Sequence, residues 1–240
     1  MLTRLPAKAK PQSAANLATG SKPRQATVLL TGFDAFGGDA INPSWLAVQA
    51  LHGKRVLGRK LVAARLPTRF DTSLRVLSDL LKRHRPELVI CVGLAGGRSA
   101  ISLERVAINI NDARIADNAG ALLVDTPVVK GGPAAYFTTL PIKAILQAIQ
   151  AAGIACEVSQ TAGTFVCNQV FYALMHSLAT LPALKKTRGG FVHVPLLPEQ
   201  APGIAAPSMA LEDTVRGLGI AVRAALKNQV DAVLAAGAIQ

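Results

Sequence analysis

The run LVICVGLAGG at residues 88–97 is apolar without interruption and ends in glycines. This pattern is typical of a strand buried on both faces of a parallel sheet, because helices cover both of its sides. ATVLLTG at 26–32 has the same character, and LVAARLP at 61–67 is a third run of strand length. The chain therefore predicts a sheet whose strands are separated by longer segments.

Segments with helical spacing lie between these strands. Asn42 is a favourable N-cap and Pro43 a favourable first residue for a helix over 43–52. A second helix stops by Pro86, and its apolar stripe consists of Phe70, Leu74, Leu77 and Leu81.

The rest of the chain continues the alternation. It contains an extended segment at 101–109, a polar, glycine-rich loop region at 110–132, a helix from Pro141 to Gly153, a strand near 154–159, a helix over 166–180, a strand at 189–195 and a final helix from about Ser208. Strands joined by helices predict one α/β domain. We expect an open, twisted, largely parallel sheet flanked by helices on both faces.

The net charge of +12 is concentrated in short clusters and in the first 25 residues, which hold five lysines and arginines and no acid. We expect residues 1–25 to be a disordered basic tail and residues 26–240 to form the folded domain. Only 4% of the chain is aromatic, so the clusters lack the stacking rings of a nucleic-acid surface. No apolar run reaches the roughly 18 residues of a membrane span. We expect binding to neither nucleic acid nor membrane.

The three cysteines are sparse and form no CxxC pair. That count, with no apolar core of a secretory signal near the N-terminus, favours a reducing cytoplasmic location. Cys91 and Cys156 fall in or at the start of strands, which predicts buried core residues. Cys167 falls in the first turn of a helix, where free N–H groups and the helix dipole lower a thiol pKa. Position alone leaves open that Cys167 is a reactive thiol or a core residue.

The turn TGFDAFGGDAINPS at 31–44 follows the first strand and suggests a phosphate loop. It lacks the lysine and the hydroxyl that a P-loop needs after its glycines, and the chain has no GxGxxG. Phe33 and Phe36 nevertheless lie beside the C-terminal end of a strand, where open α/β sheets bind ligands. A ligand-binding loop and a plain glycine-rich turn both fit this segment.

Two polar residues interrupt apolar strands. His193 lies within FVHVP at 191–195, and Glu104 shares a face with the apolar Val106 and Ile108 if 101–108 is extended. Each needs a partner, because burying an unpaired polar group is costly. A carboxylate that orients a catalytic imidazole would satisfy both. The alternatives are a structural histidine and an ion pair of Glu104 with Arg98, Arg105 or Arg114.

The remaining histidines, His52, His84 and His176, fit surface or helix-capping positions. No histidine–carboxylate spacing matches a metal motif such as HExxH. We therefore expect neither a metal nor a cofactor.

Several motifs in one order make the chain resemble the pyroglutamyl peptidase family, also called pyrrolidone-carboxylate peptidases. The resemblance runs from about residue 27 to about residue 200. It is carried by TGFDAFGG (31–38), NPS (42–44), LPT (66–68), GLAGGR (93–98), ERVAIN (104–109), DARIADN (112–118), AAYFTTLP (134–141), SQTAGTFVCN (159–168) and FVHVPLLPEQ (191–200).

The resemblance implies a cytosolic cysteine peptidase that removes an N-terminal pyroglutamyl residue from peptides through a thioester acyl-enzyme. It implies that Cys167 is the nucleophile, His193 its base and Glu104 the residue that orients the imidazole. The implied substrate-binding residues are Phe33, Phe36, Asn42, Thr68, Arg114, Ile115, Phe165 and Val166. It also implies assembly as a homodimer or homotetramer.

Ala35 and Ala116 depart from the family, which often has proline at both places. Loss of proline should loosen these loops by less than about 1 kcal/mol, without touching the catalytic chemistry.

Two other functions fit parts of the sequence. The strand–helix rhythm also suits a nucleoside phosphorylase-like enzyme, but Cys167 and His193 would have no clear role there. The charge alone suits a nucleic-acid-binding protein, whose binding would weaken steeply with salt.

Overall fold

The computed structural model describes residues 26–201 and 206–237, so the predicted tail at 1–25 lies outside it. Its strands are β1 (Thr27–Phe33), β2 (Arg55–Val56), β3 (Arg59–Leu66), β4 (Leu88–Leu94), β5 (Ile101–Glu104), β6 (Val106–Ile108), β7 (Ala135–Phe137), β8 (Cys156–Ser159) and β9 (Arg188–Val194). Its α-helices are α1 (Pro43–Leu51), α2 (Ser73–His84), α3 (Ile142–Ala151), α4 (Val166–Thr180) and α5 (Leu211–Lys227).

Seven strands form one sheet in the order β2-β3-β1-β4-β9-β5-β8. The run β3, β1, β4 and β9 is parallel, as is the pair β5 and β8. β2 is antiparallel to β3, and β5 is antiparallel to β9. The prediction of a largely parallel sheet is confirmed, and β4 lies at its centre, as its unbroken apolar sequence indicates.

Helices cover both faces of this sheet, as predicted. Leu88, Ile90 and Val92 of β4 pack in one core with α1, α3 and α5. Val89 and Cys91, which alternate with them, pack in a second core with α2 and α4. This alternation follows from the two-residue period of a strand.

The segment expected to be extended at 101–109 is two strands in two different sheets. The ladder breaks at Arg105, and β6 pairs only with β7, a strand that the sequence did not predict. Glu104 therefore shares a sheet face with Ser102, and not with Val106 and Ile108 as expected. The short β2 was also missed.

The last helix begins three residues later than expected. Ser208 forms a parallel bridge with Leu196, and Met209 donates its N–H to the Leu196 carbonyl, so this stretch is extended. The other helices begin and end within a few residues of their predicted bounds. No helix among the described residues is long and apolar enough to cross a membrane.

Candidate active site

The candidate site lies at the carboxyl ends of β4 and β9, two neighbouring strands in the middle of the main sheet. Gly93 of β4 is paired in register with His193 of β9. On the other side of β9, Glu104 is opposite Phe191, two residues before His193. Residues two apart in a strand share a face, and diagonal neighbours lie within reach of long side chains. Glu104 and His193 therefore project from the same face of the sheet, the face that carries α4.

The His193 imidazole and the Glu104 carboxylate form a buried hydrogen-bonded pair. His193 Nδ1 lies 2.7 Å from Glu104 Oε1, and the two residues are 4% and 0% exposed. Arg98 Nη1 donates to the same oxygen at 2.8 Å. Both predicted partners of Glu104, an imidazole and an arginine, are therefore present. An ionised carboxylate accepts hydrogen bonds only, which assigns the proton to Nδ1 and leaves the lone pair of Nε2 to accept another hydrogen bond.

Cys167 is the second residue of α4, which begins after the extended N-cap residue Phe165. Its sulfur approaches the sheet at Gly93: a Cβ atom added to this glycine would lie only 2.8 Å from Cys167 Sγ. Because Gly93 is the strand partner of His193, this contact brings the thiol and the imidazole to neighbouring positions.

The Cys167 thiol does not show the lowered pKa expected from its helix terminus. Burial raises its pKa to about 12, and the negative charge of Glu104 acts in the same direction. The positive charge of Arg98 opposes these effects without overcoming them. Desolvation of the thiolate is the largest of these effects. The resting thiol is protonated near neutral pH, so a base must remove its proton.

Aromatic side chains form one wall next to the thiol. The ring centroids of Phe36 and Phe165 lie 5.2 Å apart, and those of Phe70 and Phe165 also 5.2 Å apart. Phe36 and Phe165 are half-buried, so their rings are accessible to a ligand. Phe33 is only 2% exposed and packs on Phe191, within the core below the wall.

Asn42 and Thr68 hold the loop that follows β1. Asn42 Nδ2 donates to the Asp34 carbonyl at 2.8 Å, and its Oδ1 accepts from the backbone N–H and hydroxyl of Ser44. The Thr68 N–H donates to Asp34 Oδ1 at 2.7 Å, and Asn118 Nδ2 reaches the same oxygen at 3.3 Å. Both predicted pocket residues thus direct their polar atoms to the protein. Asp34, which the sequence did not single out, joins three loops.

A cleft of about 570 Å³ adjoins the aromatic wall. Its lining includes three of the predicted residues, Arg114, Ile115 and Phe165, together with Asp112, Gly163 and Thr164. Ile115 is 55% exposed, as suits a residue that meets a ligand. Val166 is fully buried beneath this surface as the first residue of α4.

The other cysteines and histidines have structural surroundings. Cys91 and Cys156 are buried, as expected, and burial raises the pKa of each thiol to about 12. His52 Nδ1 accepts the Ala63 N–H, and His176 Nδ1 lies 2.9 Å from the Tyr136 hydroxyl. Within residues 26–201 and 206–237, no group of three His, Cys, Asp or Glu side chains is placed to hold a metal ion.

Comparison with known proteins gives one family. The protein-family model described as "Pyroglutamyl peptidase" matches residues 26–228. The pyrrolidone-carboxylate peptidase of Cupriavidus taiwanensis is 58% identical over 208 residues, covering 85% of this chain and 95% of that protein. The pyrrolidone-carboxylate peptidase of Bacillus mycoides is 52% identical over 215 residues, covering 88% and 98%.

Solved structures agree with the sequence relatives. The crystal structure of pyroglutamyl peptidase I from Bacillus amyloliquefaciens superposes with a TM-score of 0.83 at 48% identity, covering 87% of this chain and 100% of that one. A mutant pyrrolidone carboxyl peptidase from Pyrococcus furiosus gives a TM-score of 0.81 at 40% identity, covering 85% and 100%.

Proposed function

The chain belongs to the pyroglutamyl peptidase family of cysteine peptidases, and we propose that it removes N-terminal pyroglutamyl residues from peptides with Cys167 as the nucleophile. The observation that carries the residue assignment is the convergence at the carboxyl ends of β4 and β9. There a helix-terminal thiol contacts the strand partner of a histidine that is itself hydrogen-bonded to a buried carboxylate. A nucleophile, a base and a group that orients the base are the parts that acyl transfer to a thiol requires.

The reaction begins with proton transfer from the Cys167 thiol to Nε2 of His193. The sulfur attacks the carbonyl carbon that joins the pyroglutamyl ring to the next residue. As the C–N bond breaks, His193 returns the proton to the departing amine, and a pyroglutamyl thioester remains on Cys167. Water then attacks the thioester and gives a proton to His193, which passes it back to the sulfur as pyroglutamate leaves.

The raised pKa of Cys167 makes His193 necessary to the reaction. With a thiol pKa of about 12, the thiolate is a negligible fraction near pH 7 unless a base takes the proton. Glu104 stabilises the imidazolium that forms and keeps the imidazole in the required tautomer. Thiolate and imidazolium then form together as a pair.

The aromatic wall supports the choice of a neutral, compact acyl group. Pyroglutamate is a flat lactam without a free amine, and the half-buried rings of Phe36 and Phe165 offer it an apolar surface. We propose that Arg114 and Ile115, which line the adjoining cleft, contact the substrate as well. The pocket is supported from within the protein by three further residues: Asn42 and Thr68 are hydrogen-bonded to Asp34, and Phe33 packs on Phe191.

We also propose a homodimeric or homotetrameric enzyme of the cytoplasm. The three cysteines are all free in the structure, which suits a reducing compartment. Leu122, Val124 and Phe137 are 54%, 54% and 70% exposed, and large apolar side chains exposed to this degree favour a subunit contact. Light scattering coupled to size exclusion measures the assembly, and a monomeric mass at micromolar concentration would contradict it.

A fluorogenic pyroglutamyl amide tests the function. We expect the purified protein to release the fluorophore and to lose this activity after alkylation with iodoacetamide. Cys167→Ala should be inactive, whereas the control Cys91→Ala should retain activity because Cys91 is fully buried in β4. No release by the unmodified protein would refute the function. Full activity in Cys167→Ala would refute the nucleophile.

A further inference from the structure

The Glu104 carboxylate is held by more than its imidazole partner. Its Oε1 atom accepts from both His193 Nδ1 and Arg98 Nη1, at 2.7 and 2.8 Å. Its Oε2 atom is buried and has no hydrogen-bond partner among the described residues. A buried carboxylate stays ionised only when a nearby charge and hydrogen bonds compensate for its lost hydration. Neutral His193 supplies a hydrogen bond but no full charge.

Arg98 is therefore the permanent counter-ion of Glu104. Within residues 26–201 and 206–237, the cationic groups within 4 Å of the Glu104 carboxylate are Arg98 and, when protonated, His193. An arginine side chain keeps its charge at any working pH. The charge of Glu104 is thus balanced before the reaction, while His193 is still neutral.

The ionisation of Glu104 decides which nitrogen of His193 can act as the base. An ionised carboxylate accepts the Nδ1–H, which leaves Nε2 free to take the thiol proton. A protonated carboxyl would instead donate to Nδ1 and leave the imidazole proton on Nε2. The histidine would then be in the wrong tautomer, a fault that abolishes most of the activity of serine–histidine–aspartate enzymes.

Arg98 also reaches the segment that leads into the nucleophile helix. Its Nη2 atom donates to the Thr161 carbonyl at 3.2 Å. Thr161 in turn accepts the Gly163 N–H with its hydroxyl at 3.0 Å, just before α4 begins. One planar guanidinium thus joins the carboxylate behind the base to the loop before Cys167. The side chain is 27% exposed, so an added small cation could reach its place.

We propose that Arg98 is a positioning residue of the reaction: it keeps Glu104 ionised so that His193 holds the base tautomer, and it ties this pair to the loop that places Cys167. The proposal rests on the assigned roles of Cys167 and His193. It adds a fourth side chain, which is hydrogen-bonded to the Glu104 carboxylate and to the Thr161 carbonyl.

The test compares Arg98→Ala and Arg98→Lys with wild type on a fluorogenic pyroglutamyl amide. We expect Arg98→Ala to lower kcat by about 10- to 100-fold, the range for groups that orient a functional side chain, and to change KM less than threefold. Arg98→Lys should lose about three- to tenfold, because one ammonium cannot span both the Glu104 carboxylate and the Thr161 carbonyl. Arg216→Ala is the matched control, since Arg216 forms an exposed pair with Asp213 on α5 and its loss should leave kcat unchanged.

Two further readouts separate this role from a structural one. Added guanidinium chloride at tens of millimolar should restore part of the kcat of Arg98→Ala, whereas sodium chloride at equal ionic strength should not. In a Glu104→Gln background, Arg98→Ala should cost several-fold less than in wild type, because only the hydrogen bond to the Thr161 carbonyl is then left to lose. The same full loss in both backgrounds, or a KM effect without a kcat effect, would refute the proposal.

Alkylation of Cys167 by iodoacetamide supplies a measurement that needs no peptide substrate. Arg98→Ala should slow it by at least threefold at pH 7, since the base is less often in the required tautomer and the thiolate loses a nearby positive charge. This separates failure of the proposal from failure of the proposed function, which would appear as no amide cleavage by wild type. If Arg98→Ala does not fold, Arg98→Lys decides the matter: wild-type kcat and alkylation in that variant would overturn the proposal.

Discussion

Substituting Gly93 by alanine should displace the nucleophile. The added Cβ would lie 2.8 Å from Cys167 Sγ and 2.9 Å from Phe191 Cζ. Ordinary contacts of this kind are about 3.5–4.0 Å, so the two contacts are short by roughly 0.6–1.2 Å, and the neighbours or the strand itself must shift by about that distance. The Phe191 ring is fully buried against Phe33 and Phe171, with ring centroids 6.3 and 5.9 Å away, so it has no room to withdraw. The half-buried Cys167 is the group that yields.

The expected effect of Gly93→Ala is large on catalysis and modest on stability. A shift of the nucleophile by about 1 Å costs on the order of a hundredfold in rate. Overpacking at a buried site costs about 1–3 kcal/mol, offset by about 0.4–1 kcal/mol because alanine restricts the unfolded chain. We therefore expect about a hundredfold lower kcat/KM on a pyroglutamyl amide and a melting temperature lower by only a few degrees.

The matched control is Gly96→Ala, in the turn that follows β4. A Cβ atom there would meet only Leu196 Cδ1, at 3.9 Å, an ordinary contact. This variant should keep kcat/KM within about threefold of wild type. Gly93→Ala with wild-type kcat/KM and wild-type alkylation kinetics would refute the placement of the Cys167 sulfur over Gly93.

Four other outcomes can be checked. The alkylation rate of Cys167 in His193→Ala should rise with pH from 7 to 10 and beyond, because the lone thiol has a pKa of about 12 and gains thiolate only on the alkaline side; a plateau below pH 8 would contradict this. Label from brief iodoacetamide treatment should map to Cys167 rather than to Cys91, which has an equally raised pKa but no exposure. His193→Ala should remove nearly all activity and Glu104→Gln should leave more, with EDTA having no effect; activity lost in EDTA and restored by zinc would refute the metal-free reaction. A prolyl amide should be cleaved with kcat/KM at least about a thousandfold lower than the pyroglutamyl amide, since its charged amine would enter an apolar pocket. Phe36→Ala should weaken the binding of both substrates. Comparable kcat/KM values in wild type would mean that an acidic side chain in the pocket pairs with the amine.

The spacing of apolar residues was sufficient to predict the strands and helices that bury a continuous apolar face. The continuous apolar runs of β1 and β4 and the apolar stripes of α2 and α3 correspond to the two cores on either side of the sheet. The short β2 and β7 were missed, because two or three residues that are partly exposed carry no period. Pairing with a neighbour, rather than their own sequence, makes them strands.

The candidate site could be predicted one residue at a time, but its electrostatics could not. A helix-terminal cysteine and two polar residues in apolar strands are visible in the sequence, and the family motifs add roles to them. The direction of the Cys167 pKa shift depends on how deeply the thiol is buried and on which charges surround it. Both are properties of the folded chain, and here burial raises the pKa that the helix-terminal position led us to expect lowered.

One short connection explains both the antiparallel direction of β5 and the position of Arg98. Only residues 95–100 separate β4 from β5, whereas a crossover to a parallel strand takes about a dozen residues or more. β5 therefore runs antiparallel to β9, the strand that lies between it and β4.

That reversal determines the order of groups along the site. It places Glu104 opposite Phe191, two residues before His193 on β9. The Nδ1 atom of His193 therefore faces the Glu104 carboxylate, and its Nε2 atom faces away from it. The same connection passes over the end of β9, where the Ala95 N–H donates to the Val194 carbonyl, and this carries Arg98 to the outer side of Glu104. A longer connection with a helix would make β5 parallel, and it would separate the arginine, the carboxylate and the imidazole that the short one brings together.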